Sequence, residues 1–178
     1  DSYVINNQGN KLDGDAFNVD LGIEIRKPAD KQLLPVFESI QNGEKLYILP
    51  MRGKGLWGPI WGFIALKDDM NTISGAVFDH KAETPGLGAE ISLDWFQEPF
   101  IGKTIFEGKN LVSINIVKGG ADADDMHSVD GISGGTITSD GVADMLAERF
   151  KQYLPFFNKK NSQMKELLSK SEIVENSI

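Results

Sequence analysis

Three short segments constrain the fold of this chain more than anything else in it. Residues 46–51, 60–67 and 72–79 are each rich in aliphatic, aromatic and β-branched side chains, and turn residues separate them, the aspartates and asparagine of 68–71 most clearly. Runs of that composition between turn signals read as strands. Connections this short join antiparallel neighbours, because a parallel pair needs a long crossover. The trio predicts an antiparallel meander. Around it, 3–6, 17–25 and 111–118 read as further extended segments. Residues 31–41 predict a short helix, with Leu33, Leu34, Phe37 and Ile40 at helical spacing and Pro35 in the first turn. Later, Val142, Met145, Leu146, Phe150, Tyr153 and Leu154 recur with helical period. Thr138 or Ser139 is the expected N-cap of that helix and Pro155 its expected end. A last amphipathic helix is expected over 162–170, carrying Met164, Leu167 and Leu168, before a polar tail. No repeat or linker interrupts the chain. The prediction is one α+β domain spanning 1–178, a mostly antiparallel sheet flanked by helices.

Composition removes whole classes of function. The 178 residues include 26 acidic and 18 basic side chains, a formal charge of −8. That balance excludes nucleic acid as a partner, since phosphate backbones are bound by clustered Lys and Arg, and it disfavours an anionic lipid surface equally. There is no cysteine. Disulfides, thiolate zinc sites, cysteine-held iron–sulfur clusters and thiol catalysis all go with it. His80 and His127 are the only histidines. They leave little material for a metal cage. The longest charge-free stretch, 55–66, is too short to span a bilayer.

Four local features remain. The sharpest is Gly131-Ile132-Ser133-Gly134-Gly135-Thr136-Ile137-Thr138-Ser139, a glycine-rich run that feeds a helix. Glycines allow tight turns and close approach of backbone to ligand, and a helix N-terminus favours an anion such as phosphate. The Lys of a Walker loop and the spacing of a Rossmann fingerprint are both absent. By composition the run is equally a turn that redirects the chain. Glu83-Thr84-Pro85-Gly86-Leu87-Gly88 lies in a loop over 80–89, where an ordinary surface turn is the simpler reading. Lys54-Gly55-Leu56-Trp57-Gly58-Pro59-Ile60-Trp61 offers two tryptophans as a flat wall for a planar ring, or as core packing at a strand start. Asp122, Asp124 and Asp125 fail the EF-hand spacing and read as a solvated acidic loop. His80 and Glu83 form a candidate acid/base pair without a nucleophile beside it.

Taken in order, three of these stretches resemble the soluble FMN-binding domain family found in the C subunit of the sodium-translocating NADH:quinone reductase. Asp130-Gly131-Ile132-Ser133-Gly134-Gly135-Thr136 is similar to that family's flavinylation motif, Asp-x-x-Ser/Thr-Gly-Ala-Thr, with Gly135 standing where Ala is usual. The resemblance implies FMN joined through a phosphoester to Thr136 by a separate flavin transferase. It implies cofactor contacts from Ser133, Gly134 and Gly135, from Glu83, Thr84, Gly86 and Leu87 in the covering loop, from Leu56 and Trp57, and from Lys118 at the end of a strand before the motif. It further implies an electron-transfer subunit with no catalytic base and no metal, acting beside the other subunits of a membrane reductase. The family carries one N-terminal transmembrane helix and holds this domain on the periplasmic side of the inner membrane. A chain that opens at Asp1 without Met is expected to lack that anchor. The G subunit of the Rnf electron-transport complex shares the threonine motif and the Glu-Thr-Pro-Gly-Leu-Gly loop, and is the alternative. A non-covalent flavin or phospholigand module and a plain interaction domain are the remaining readings.

Overall fold

The alternation of inward and outward side chains along the central strands sets the architecture. In the computed structural model, which describes residues 1–175, the elements run β1 (Ser2–Ile5), β2 (Lys11–Leu12), α1 (Leu21–Glu24), β3 (Leu34–Gln41), β4 (Glu44–Lys54), β5 (Pro59–Lys67) and β6 (Ile73–His80). There follow α2 (Asp94–Gln97), β7 (Phe106–Glu107), β8 (Asn110–Leu111), β9 (Asn115–Val117), β10 (Ser128–Asp130) and α3 (Thr136–Glu175). Of the polar tail expected after 170, the backbone of 171–175 continues α3, while 176–178 and the side chains of Leu168 and of 170–175 lie outside the described residues. Six strands form one antiparallel sheet in the order β2-β1-β3-β4-β5-β6. The meander of β4, β5 and β6 is the one expected from sequence. On β5, Ile60, Gly62, Ile64 and Leu66 point inward while Trp61, Phe63 and Ala65 do not, the period of two that a half-covered sheet requires.

Helix α3 covers the inner face. Val142, Met145, Leu146, Phe150, Tyr153, Phe156 and Phe157 are all buried, a stripe at three- and four-residue spacing. The Tyr153 hydroxyl donates to the carbonyl of Pro35 at 2.7 Å and ties the helix to β3. Near its start, α3 lies so close to the end of β4 that a Cβ at Gly141 would sit 2.4 Å from the Lys54 carbonyl oxygen. This contact sets the beginning of α3 against the β4–β5 hairpin. Among the described residues no helix is long and apolar enough to cross a membrane.

Several expected elements differ. Residues 34–41 form β3 instead of a helix, because Val36 pairs with Tyr3 and Phe37 with Ile48 on the two flanking strands. The 17–25 stretch is a 3₁₀ turn (Ala16–Asn18) followed by α1, each capped by an aspartate. Asp15 accepts from the Phe17 N–H and Asp20 from the Gly22 N–H. Segment 111–118 is broken at Ser113, whose φ is +63°, and only Asn115–Val117 continues as β9. That strand pairs with β10 in parallel. Pro155 does not end α3, which runs unbroken to Glu175. The buried aromatics on both sides of the proline hold the helix in place across the hydrogen bond it removes.

Candidate functional site

The glycine run becomes a tight turn that launches α3. Gly134 takes φ +75°, a left-handed conformation that favours glycine, and the Gly135 N–H closes the turn onto the Ile132 carbonyl at 3.0 Å. The Ser139 N–H donates to Gly135 O, which makes Gly135 the cap and Thr136 the first helical residue. The expected caps, Thr138 and Ser139, therefore lie inside the first turn. There they do other work. The Ser139 hydroxyl accepts from the Ile132 N–H at 3.1 Å, and the Thr138 hydroxyl donates to Glu83 Oε2 at 2.6 Å.

Glu83 is the centre of the site. It is 5% exposed, and its other oxygen accepts from the Trp57 N–H at 2.8 Å. One carboxylate thus joins the β4–β5 hairpin, its own loop and the start of α3. The fit is close enough that a Cβ at Gly88 would fall 2.4 Å from the Thr138 hydroxyl oxygen and 2.5 Å from Glu83 Oε2. The Glu83 N–H donates to His80 Nδ1, so the two side chains do not form the acid/base pair considered from sequence. In the same loop the Thr84 carbonyl accepts from the N–H groups of Leu87 and Ala89, with Gly86 at φ +73°. This turn lays Leu87 against the motif, where a Cβ at Gly134 would meet Leu87 Cδ2 at 2.7 Å.

The remaining expected residues fall around this clasp. Leu56 and Trp57 occupy the hairpin turn and are 43% and 66% exposed; Leu87 is 41% exposed. Trp57 is not packed in the core, whereas Trp61 lies on the sheet with the Arg52 guanidinium over its ring. Ser133, Gly134 and Thr84 are exposed, Gly135 is buried, and Thr136 is half-buried. Lys118 is exposed directly after β9, and the Gly131 N–H donates to the preceding Val117 carbonyl at 2.9 Å. Asp130 Oδ1 accepts from the Ala121 N–H at 2.7 Å, which fastens the Gly119-Gly120 turn beside Lys118 to the motif. The acidic loop is likewise held by its own carboxylates. Asp125 accepts from the Ser128 hydroxyl and the His127 N–H, and these bonds hold its carboxyl below the usual range.

Thr138 and Asp130 stand in the stretches read from sequence, but their partners, Glu83 and the Ala121 N–H, are supplied only by the fold. Thr138 had a signal, a hydroxyl two positions after Thr136 in the first turn of a helix. Nothing local to Glu83 indicates that it would be Thr138's partner.

The donor set fits a flavin mononucleotide. The first-turn N–H groups of α3 have no intrahelical acceptor, the exposed Ser133 hydroxyl lies three residues before Thr136, and Lys118 follows the residue whose carbonyl holds the Gly131 N–H. The exposed Leu56, Trp57 and Leu87 supply an apolar surface for a planar ring. An alanine at 135 would bring a Cβ to 2.8 Å from Ile132 Cγ2, so Gly135 suits the turn as it is built here.

Comparison with known proteins agrees. Residues 55–151 match the model of the FMN-binding domain. The chain is similar to the C subunit of the Na(+)-translocating NADH-quinone reductase of Neisseria meningitidis serogroup A, with 43% identity over 117 residues, covering 65% of this chain and 45% of that protein. With the corresponding C subunit of Vibrio anguillarum it shares 35% identity over 151 residues, 75% of this chain and 59% of that one. The chain thus spans less than two thirds of the length of these curated relatives. Among solved structures, the C subunit of the Parabacteroides distasonis reductase superposes with a TM-score of 0.82 at 43% identity, covering 88% of this chain and 77% of that one.

Proposed function

We propose, from the premise that the chain belongs to the FMN-binding domain family, that it is the flavin-bearing domain of the C subunit of a sodium-translocating NADH-quinone reductase, with FMN joined through a phosphoester to Thr136. One observation narrows the choice to Ser133, which is exposed, and Thr136, and the motif's final position favours Thr136. Of the three hydroxyls in Thr136-Ile137-Thr138-Ser139, two are buried and spoken for, Thr138 by Glu83 and Ser139 by the Ile132 N–H. Thr136 alone is partly accessible. A transferase needs a hydroxyl that it can reach, and on the helix side of the glycine turn this is the one left open.

FMN supplies the electron-transfer chemistry when bound, and the protein sets its position and potential. The first-turn N–H groups of α3 and the Lys118 ammonium offset the phosphate charge. Leu56, Trp57 and Leu87 shield the ring from water, and Glu83 fixes the loop that carries Leu87 relative to the hairpin that carries Trp57. No side chain has to take or give a proton for this role. The domain alone passes electrons without completing turnover on NADH or quinone. Its partners are the other subunits of the membrane complex and, during maturation, the flavin transferase. A single N-terminal membrane helix anchors the full-length protein, with this domain on the periplasmic side.

Intact mass tests the linkage. Co-expressed with a flavin transferase, the parent chain is expected to gain the mass of one FMN ester, and its flavin fluorescence to stay with the polypeptide through denaturation. Ser133→Ala keeps the gain and Thr136→Ala loses it. A gain that survives in Thr136→Ala, or none in the parent, overturns the assignment.

A further inference from the structure

Helix α3 covers one face of the sheet and leaves the outer face of β4, β5 and β6 open. An antiparallel sheet with one solvated face ordinarily alternates apolar-in with polar-out. Here the outward positions are apolar as well. Cross-strand pairing aligns Phe37, Ile48, Ala65 and Gly75 in one row from β3 to β6, and Pro50, Phe63 and Val77 in the next. Phe63, Val77 and, just after α2, Ile101 are 44%, 50% and 57% exposed. Ala65 and Gly75 are small and lower the floor, so that a groove of about 500 Å³ lies over them, walled by Ile48, Phe63, Val77 and Ile101. A second groove of about 450 Å³ shares Phe63 and Val77 and runs on past Trp61. A contiguous apolar surface of this kind marks a contact site.

The rim of this surface carries one sign of charge. Asp94 and Glu98 border the first groove and Asp79 the second. All three are exposed, and none forms an ion pair among the described residues. No Lys or Arg lines either groove among the described residues, and the nearby Arg52 is engaged over the Trp61 ring, 5.4 Å from its centroid. Gln97 lines both grooves. Its amide nitrogen donates to the carbonyls of Phe78 and Ile91, each at 3.0 Å, and its oxygen has no donor among the described residues. The outer edge of β6 is already engaged. The Gly102 N–H donates to the Ile73 carbonyl, the Ile73 N–H to the Lys103 carbonyl, and Gln97 holds the Phe78 carbonyl. A strand cannot add along that edge, so a partner has to lie on the face.

We infer that this face docks an amphipathic helix of a partner protein, with an apolar stripe on Phe63, Val77 and Ile101 and flanking Lys or Arg side chains facing Asp79, Asp94 and Glu98. Four strands at the usual spacing make a surface roughly 14 Å across. That is the length of about ten helical residues. Charge decides the occupant. A second copy of this chain would set its own acidic rim against this one, and an anionic membrane would meet the same three carboxylates. A cationic helix finds complementary charge at the rim and an acceptor in the Gln97 oxygen. The surface lies across the sheet from α3 and does not rest on the flavin assignment.

A synthetic peptide of about fourteen residues, with Leu at three- and four-residue spacing and Lys elsewhere, is titrated into the full chain at fixed ionic strength. The amide resonances of Phe63, Val77 and Ile101 are expected to shift saturably. A peptide of the same composition with the Leu spacing scrambled is expected to bind about tenfold more weakly, and one with Glu in place of Lys not at all. Phe63→Ser combined with Val77→Thr should abolish the shift at Ile101. Asp94→Asn combined with Glu98→Gln should weaken binding about fivefold and flatten its salt dependence. These two exposed positions keep the test open should the apolar double variant fail to fold. No saturable shift, shifts confined to other residues, equal binding of the ordered and scrambled peptides, or binding of the Glu peptide would each overturn the inference. So would the same shifts produced by raising the chain concentration alone, which make the occupant a second copy, or by phosphatidylglycerol vesicles, which make it a membrane.

Discussion

Glu83 holds the candidate site together, and its effect is that of a single buried carboxylate with two partners, the buried Thr138 hydroxyl and the part-buried Trp57 N–H. Replacing it with alanine leaves the Trp57 N–H and the Thr138 hydroxyl without their partners. The buried Thr138 hydroxyl so stranded costs about 1–3 kcal/mol, and the part-buried Trp57 N–H, which water can reach, costs less. Glu83→Ala is therefore expected to lower the urea midpoint clearly. Glu83→Gln should lose less, since its amide oxygen still accepts from Trp57 and the Thr138 hydroxyl can turn to accept from the amide nitrogen. Equal midpoints for Glu83→Ala and the parent chain would refute the clasp. At this scale the glutamate is legible in the sequence only through family resemblance. By composition its loop reads as a surface turn, because the partner that buries it stands 55 positions away in sequence. Thr136 is legible from the motif. That its neighbouring hydroxyls are already engaged is not, since hydrogen bonds across the turn follow from the fold.

Elements are legible where one pattern dominates and illegible where two patterns fit. β4, β5 and β6 alternate strictly or nearly so, and the sheet forms as expected. In 31–41, Leu33, Leu34, Phe37 and Ile40 satisfy a helical period, yet Val36 and Phe37 equally suit a strand. Pairing with β1 and β4 decides the matter, and neither partner is local. Pro155 misleads for the opposite reason. The local rule that proline ends helices is outweighed by a periodicity that continues through Phe156 and Phe157 into the core. This implies that the proline is carried at a cost, up to about 3 kcal/mol for an interior position. Pro155→Ala is thus expected to stabilise the chain toward urea while leaving its helix content by circular dichroism nearly unchanged. A less stable variant would mean that the packing of the proline ring outweighs the hydrogen bond it removes.

At the scale of the whole molecule, one ion network joins the second half of α3 to the sheet. Glu38 on β3 accepts from the Tyr3 hydroxyl on β1 at 2.6 Å, lies 2.6 Å from the Lys45 ammonium on β4, and 3.6 Å from that of Lys160 on α3. Burial pushes its carboxyl up, but the hydrogen bonds from Lys45 and Tyr3 and the charge of Lys160 outweigh that and hold it below the ordinary value. A carboxyl lowered in the folded state stabilises fully above the unfolded value, near 4.3 for a glutamate, and that contribution is lost as pH falls through the folded value. The overall charge of −8 acts in the other direction, since early acidification relieves self-repulsion. A single stability curve mixes the two effects, whereas the difference between the parent and Glu38→Gln isolates the network. At neutral pH that difference is expected to be about 1 kcal/mol, solvent screening at the partly exposed Lys45 limiting it. It should shrink below pH ~4 and vanish in stronger acid, where Glu38 is protonated in both states. Urea midpoints across the acid range measure it. A difference that stays constant with pH would show that Glu38 contributes by packing and neutral hydrogen bonding, and that the network carries no linkage between protonation and the docking of α3.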